Sequence, residues 1–206
     1  MSGEYGRIVS DHLSTIPNGD IFLDIGANHG VFSLMVALQK PKSTVISFEP
    51  NPFIYRSFLH NITLNKLRNI VPFHGAVGPD DGLVCLAFDP LHSGKAHVSD
   101  DASADLRVPI FNPARMPVLS QIIEGKPVHV KIDVEGFEMN VLLALMKAPW
   151  FGNVKTLVLE IDEVNLNKFG HSVQNIYEAL ANFGYSHKFG EQKKHYDEIF
   201  YAGTSN

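Results

Sequence analysis

The sequence predicts an α/β protein with a mostly parallel sheet, helices on both faces of that sheet and an antiparallel hairpin at its C-terminal end. Buried-strand patterns alternate with helical patterns, and connections of helix length between strands imply parallel crossovers. Two final strands, over residues 185–189 and 198–202, are joined by so short a loop that they must be antiparallel. The five strands predicted before them span residues 21–23, 44–48, 70–77, 128–134 and 156–161.

Length and composition indicate one domain that comprises residues 1–206. With 45% hydrophobic residues and no low-complexity tract, the chain is long enough for one sizeable core and short for two. Apolar residues at helical spacing predict an N-terminal helix within residues 1–19. A later helical stripe runs from 173 to 183, with Ser172 as its N-cap and Gly184 as its stop.

Residues 79–127 interrupt the alternation of strands and helices. Short strands are expected over 83–88 and 108–111. Residues 93–105 are small, polar and charged without a period, which predicts a surface loop.

Composition argues against several classes of partner. The formal net charge of -5 leaves no excess of Lys and Arg to neutralise phosphates, so nucleic acid is not expected as a partner. The single cysteine, Cys85, cannot form an internal disulfide, which fits a reducing compartment. Neither a secretory pattern nor a run of eighteen apolar residues occurs in the sequence, so a cytoplasmic protein without a membrane span is expected.

Candidate functional residues gather at the predicted carboxyl ends of the parallel strands. In open parallel sheets, ligands bind at this edge, where the strand order reverses. The candidates are Asp24, Gly26, Ala27, Asn28 and Gly30 after the first strand, Glu49, Pro50 and Asn51 after the second, Gly75, Ala76 and Val77 at the third, Asp133 and Glu135 at the fourth, and Glu160 at the fifth.

Two of these features fit an adenosine-containing ligand. Gly26 and Gly30 permit a tight turn and a close approach of backbone to ligand, because no Cβ stands in the way. Glu49 follows Gly26 by about two dozen positions, where a carboxylate can accept both hydroxyl hydrogens of a ribose.

Asp24 distinguishes between two classes of such ligand. A dinucleotide site presents backbone donors to a pyrophosphate, which a carboxylate would repel. S-adenosylmethionine instead carries an ammonium and a sulfonium cation, which Asp24 would attract, while the backbone amides of residues 27–30 would hold its carboxylate. The turn also lacks the regular G-x-G-x-x-G pattern, since Asn28 stands where the second glycine would be. The sequence therefore predicts S-adenosylmethionine as co-substrate.

Around the candidate residues at the strand ends, the chain resembles the FkbM family of methyltransferases. The stretch KIDVEGFE at 131–138 is the most specific element of this resemblance. Where the family usually has Thr-Leu-Asp, residues 118–120 read Val-Leu-Ser. The resemblance implies a class I, Rossmann-like methyltransferase that methylates a hydroxyl of a sugar, polyketide or other natural product, with residues 79–127 contributing to acceptor recognition. The segments that carry the resemblance are residues 24–30, 48–52, 61–65, 131–138 and 159–161.

Methyl transfer to a hydroxyl needs in-line positioning and a group that takes the hydroxyl proton. Asp133 is the leading candidate for this base, and Glu135 and Glu160 stand next to it. Alternatively, Asp133 contacts the donor, Glu135 caps a helix and Glu160 holds a loop. A divalent cation bound by these carboxylates is a further alternative that the sequence does not favour.

Three hypotheses about the function remain. The first is an O-methyltransferase acting on a small-molecule or glycan hydroxyl. The second is a dinucleotide-dependent oxidoreductase, which Asp24 and Asn28 disfavour. The third is a non-catalytic domain that binds S-adenosylmethionine or nothing, against which the acidic residues Asp133 and Glu135 argue.

Overall fold

The computed structural model describes residues 6–89, 92–99, 106–189 and 195–203. Its α-helices are α1 (Arg7–Thr15), α2 (Val31–Gln39), α3 (Pro52–Leu64), α4 (Pro117–Ile123), α5 (Glu138–Met146), α6 (Glu163–Lys168) and α7 (Val173–Asn182). Its strands are β1 (Ile21–Ile25), β2 (Thr44–Glu49), β3 (Ile70–His74), β4 (Ala76–Val77), β5 (Gly82–Asp89), β6 (His92–Ser99), β7 (Leu106–Phe111), β8 (Val128–Ile132), β9 (Val154–Asp162), β10 (Tyr185–His187) and β11 (His195–Ala202). Two short 3-10 helices span Pro113–Arg115 and Phe151–Asn153.

The main sheet has seven strands in the order β10-β11-β9-β8-β1-β2-β3. The five strands from β9 to β3 are parallel neighbours, and β11 runs antiparallel to both β9 and β10. The predicted C-terminal antiparallel pair is confirmed. Successive strands run outward from β1 to β3 on one side and from β8 to β9 on the other, so the switch point lies between β1 and β8.

Alternation along the strands produces two apolar layers. On β1, Ile21, Leu23 and Ile25 belong to a core packed with residues of α4 to α7. Phe22 belongs to a second core formed with residues of α1, α2 and α3. Helices therefore cover both faces of the sheet, as the sequence predicts. Among the described residues, no helix has the length and apolar character that a membrane crossing requires.

Residues 70–127 differ from the sequence prediction. The third predicted strand breaks at Gly75, where a Cβ would lie 2.5 Å from the Phe111 ring and 2.8 Å from a backbone carbonyl. The chain therefore leaves the main sheet there, and β4 joins a second sheet in the order β4-β7-β5-β6. A loop over 93–105 was the wrong prediction for residues up to 99, because β6 pairs with β5 there. Residues 100–105 lie outside the described part.

One further helix and the start of the last strand also differ from the sequence prediction. The helix α4 was not predicted, although Leu119 and Ile123 are buried one turn apart on it. The last strand begins at His195, three residues before its predicted start, because its pairing with β9 extends to Asp162. Residues 190–194 of the predicted loop lie outside the described part.

A buried polar chain fixes α1 to the amino ends of the strands. The Nε2 atom of His12 lies 3.0 Å from Thr156 Oγ1, and His129 Nδ1 lies 2.8 Å from the same oxygen. The other ring nitrogen of His129 lies 3.0 Å from Asp20 Oδ2. Burial lowers the pKa of His12 to about 4 and also lowers that of His129. These hydrogen bonds hold the part of α1 around His12 against the amino ends of the strands.

The turn after β1 packs directly on the end of β8. Gly26 has a φ of 80°, and a Cβ there would lie 1.8 Å from the carbonyl oxygen of Asp133. The amide of Asp133 donates to the carbonyl of Ile25 at 3.1 Å, which continues the pairing beyond the strands. A glycine is required at position 26 both for its φ and for this approach.

We expect His12→Asn to lower the unfolding free energy at pH 7 by about 1 to 2 kcal/mol, because Thr156 loses a buried partner. Since the pKa of His12 is about 4 in the folded state and 6.5 ordinarily, the stability that neutral His12 contributes declines as pH falls from 6.5 towards 4. The difference between wild type and variant should therefore narrow by roughly 1 to 2 kcal/mol between pH 7 and pH 5. Urea unfolding at both pH values measures it, with the exposed His60→Asn as control; a gap that widens on acidification would contradict this account.

Gly26→Ala should lower the unfolding free energy by about 2 kcal/mol or more, because the added methyl group overlaps a backbone carbonyl and the φ is unfavourable for alanine. Gly152→Ala is the matched control, since a Cβ there meets nothing within 4 Å. Thermal and urea unfolding of both variants test the prediction. Equal stability of the two variants would show that the turn can move away from Asp133.

Candidate active site

A cavity of about 540 Å³ opens beside the carboxyl ends of β1 and β8, at the switch point of the sheet. Its volume lies in the range of small-molecule binding sites. Four of the predicted site residues line it: Gly26, Ala27, Asn28 and Asp133. The rest of the lining comes from the start of α1, the turn after β1, α2 and the end of β8, through Gly6, Arg7, Ser10, His29, Val31, Phe32, Met35 and Lys131.

Lys131 joins two of the predicted carboxylates at the floor of this cavity. Its Nζ donates to Asp133 Oδ2 at 3.1 Å and lies 3.7 Å from Asp24 Oδ1. Burial by itself lowers the pKa of Lys131, but the two carboxylates raise it more, so the lysine stays charged. Burial raises the pKa of Asp133, but Lys131 and a hydrogen bond with Glu160 outweigh burial, so Asp133 is ionised at neutral pH.

Asp24 lies behind the cavity floor and is fully buried. Its Oδ2 accepts a hydrogen bond of 2.6 Å from Ser33 Oγ, which lies 2.8 Å from Ser47 Oγ. Within the described part of the chain, its Oδ1 has no hydrogen-bond donor and only the longer ion pair with Lys131. Burial raises the pKa of Asp24. An additional cationic donor near Oδ1 would therefore be favourable.

Glu49 ends β2 next to the turn that lines the cavity. Its Oε2 accepts from the amide of Asn28 and its Oε1 from the amide of Asn51, both at 2.8 Å. These two bonds fix the orientation of the carboxylate. Burial raises the pKa of Glu49 to about 7, although the two amide donors oppose the shift.

The amides of the turn are already engaged within the protein. The amides of Gly26 and Ala27 both donate to the carbonyl of Phe48, and that of Gly30 donates to Ala27. The amide of Asn28 donates to Glu49, as described above, and that of His29 to Asn28 Oδ1 at 2.8 Å. The expectation that the amides of residues 27–30 hold a ligand carboxylate is therefore not supported by their hydrogen bonding.

The other predicted donor-binding residues do not line the cavity: Gly30 precedes α2, whereas Pro50, Asn51 and residues 75–77 lie next to Glu49. Asn51 uses its side-chain oxygen to cap α3, accepting from the amides of Phe53 and Ile54. The carbonyl of Pro50 lies 3.1 Å from His74 Nε2. Residues 75–77 are tied to the end of β2, since the Gly75 amide donates to the carbonyl of Glu49 at 3.1 Å.

The three predicted catalytic carboxylates are adjacent. One ligand atom from each of Asp133, Glu135 and Glu160 can be chosen so that all lie within 4.8 Å of one another. Such an arrangement could hold a divalent cation as well as a shared proton. Glu135 has a positive φ of 54° and lies 3.4 Å from Asn165 Nδ2, and Glu160 Oε1 lies 2.8 Å from His195 Nε2.

Three participants were not predicted as site residues. The sequence contains a signal for Lys131, because a lysine within the otherwise apolar pattern of a buried strand indicates a charged group with a buried partner. Glu138 accepts from the amides of Val134 and Gly136 and so shapes the loop after β8; burial raises its pKa to about 7. His195 reaches the site because β11 runs antiparallel, which places its first residue at the carboxyl edge of β9.

Sequence comparison relates residues 24–186 to the family model described as the methyltransferase FkbM domain. Methyltransferase 1 of Beauveria bassiana is 27% identical over 157 residues, which cover 67% of this chain and 63% of that protein. The 31-O-demethyl-FK506 methyltransferase FkbM of Streptomyces tacrolimicus is 27% identical over 176 residues, which cover 71% of this chain and 67% of that protein. The chain thus spans about two thirds of the length of these relatives.

Structural comparison finds a similar fold. The crystal structure of precorrin-6y C5,15-methyltransferase from Geobacter metallireducens GS-15 superposes with a TM-score of 0.52 at 16% identity, covering 100% of this chain and 90% of that one. This likeness concerns the fold. Because the family match covers well over half of the sequence, the chain belongs to the FkbM family of methyltransferases and has the class I, Rossmann-like methyltransferase fold.

Proposed function

We propose that the chain is an S-adenosylmethionine-dependent O-methyltransferase that acts on a hydroxyl of a small-molecule or glycan acceptor. The observation that carries this proposal is the buried Asp24 beside the switch-point cavity, with one carboxylate oxygen that lacks a hydrogen-bond donor among the described residues. A pyrophosphate would be repelled there, whereas the ammonium and sulfonium of the methyl donor are attracted.

Glu49 is the residue we assign to the donor's ribose. Two backbone amides orient its carboxylate beside the turn that lines the cavity, and each oxygen keeps capacity to accept a further hydrogen bond. Ribose hydroxyls are donors that fit this carboxylate. The bound donor supplies an activated methyl group, so the protein contributes orientation and proton removal.

Asp133 is the group we assign to the acceptor's proton. It lines the cavity, and Lys131 keeps it ionised at neutral pH. A lowered pKa makes it a weak base in the free protein, but the hydroxyl becomes strongly acidic as its oxygen receives the methyl group. A weak base in contact with that oxygen is therefore sufficient, and such bases contribute about a hundredfold to ten-thousandfold in rate.

Residues 79–127 are proposed to take part in acceptor recognition. The second sheet, formed by β4 to β7, lies within or next to this segment, and Gly75, just before β4, donates its amide to the carbonyl of Glu49 at the end of β2. The Streptomyces tacrolimicus relative is a 31-O-demethyl-FK506 methyltransferase, so its acceptor is a small-molecule hydroxyl. A hydroxyl of that general class is the acceptor we propose for this chain.

Calorimetric titration with S-adenosylmethionine, with a nicotinamide dinucleotide as parallel ligand, tests the donor. We expect micromolar binding of the methyl donor and none of the dinucleotide. Because the pKa of Glu49 is about 7 and ribose hydroxyls bind its ionised form, Kd should be roughly tenfold larger at pH 6 than at pH 8. Glu49→Gln should bind more weakly and lose most of this pH dependence. Preference for the dinucleotide would overturn the proposal.

Asp133→Asn should slow methyl transfer to hydroxylated acceptors by about a hundredfold to ten-thousandfold while leaving the donor's Kd within a few fold, because the amide keeps the size of the side chain but cannot take a proton. Transfer of a labelled methyl group measures turnover, with the exposed Glu178→Gln as control. Turnover equal to wild type would exclude Asp133 as base. If exhaustive chelation removes activity and an added divalent cation restores it, a metal at the three carboxylates replaces the assigned base.

A further inference from the structure

We infer that Arg7 of α1 binds the α-carboxylate at the amino-acid end of the methyl donor. The inference rests on the proposed function, since it assigns one part of that donor to one residue. Arg7 lines the same cavity as Lys131 and Asp133. A guanidinium can bind a carboxylate through two parallel hydrogen bonds, which gives both affinity and orientation.

The turn after β1 has no unused backbone amide between Gly26 and Gly30 for the donor's carboxylate. Every amide from Gly26 to Gly30 already donates to an acceptor in the protein, at distances between 2.8 and 3.0 Å. A ligand carboxylate would have to displace Glu49 or Asn28 from one of these amides. Such an exchange replaces one bond by another, and breaking the bond to Glu49 would also loosen the carboxylate assigned to the ribose.

Lys131 is a poor partner for the ligand carboxylate. Its charge is already offset by two carboxylates, at 3.1 Å from Asp133 and 3.7 Å from Asp24. An anion that approached Lys131 would meet those negative charges as well. The floor of the cavity therefore suits the donor's cationic groups, and the donor's carboxylate needs a cation other than Lys131.

Arg7 meets this requirement. Its ion pair is with Asp11 on the same helix, at 3.6 Å, and both side chains are 71% exposed. Exposed pairs of this kind are worth little, so the guanidinium can turn towards a ligand at small cost. The helix that carries it is fixed, because His12 anchors α1 through Thr156 to the sheet.

The test compares two ligands that differ by one group, S-adenosylmethionine and decarboxylated S-adenosylmethionine. Wild type should bind the complete donor about tenfold or more tightly than the decarboxylated one. Arg7→Ala should weaken binding of the complete donor by about tenfold or more and change Kd for the decarboxylated donor less than about threefold. Arg7→Lys should restore part of the preference, because it keeps a point charge without the planar fork.

Lys42→Ala removes another exposed cation and is the matched control, with no expected change in the ratio of the two Kd values. Unfolding curves confirm that each variant is folded. If Arg7→Ala weakens both ligands equally, or neither, the assignment of the carboxylate to Arg7 is wrong while the proposed function stands. If wild type binds neither ligand, the proposed function itself fails.

Discussion

The structure around the cavity depends on one buried ion cluster, in which Lys131 of β8 lies between Asp24 of β1 and Asp133. A charge in a protein interior is tolerated when oppositely charged groups surround it, and removing one partner leaves the others uncompensated. The cluster therefore ties the ends of the two central strands together at the switch point. It also places two carboxylates at the one edge of the sheet where a ligand can reach between strands.

The turn after β1 packs closely against Asp133, which belongs to the same ion cluster. The turn approaches Asp133 so closely that position 26 admits no Cβ, and its amides are held by Phe48, Glu49 and atoms of the turn itself. A turn held in this way is rigid, which suits the positioning of a donor in line with an acceptor. The cost is that few of its backbone donors are left for the ligand.

Local sequence patterns were enough to predict the alternating strands and helices, and they placed Asp24, Glu49 and Asp133 at strand ends. The roles of the amides of residues 26–28 could not be predicted, because their acceptors, Phe48 and Glu49, lie about twenty residues away on β2. Pairing between distant segments could not be predicted for the same reason, because local patterns carry no information about it. The strand β6 has no periodic signal, and His195 enters the site only through the antiparallel register of β11 with β9.

The proposed division of charge across the cavity also bears on turnover. In the proposed arrangement, the donor's sulfonium and ammonium would face the floor formed with Asp133, and its carboxylate would face Arg7, both of which line the cavity. Methyl transfer leaves the sulfur neutral, and the acceptor's proton neutralises Asp133 in the same reaction. The attraction between floor and ligand therefore weakens, because the ligand loses its positive charge and Asp133 loses its negative charge in the same reaction. The contact with Arg7 is unchanged. The site would hold the donor more tightly than the product through charges on its floor, which favours product release once the methyl group has moved.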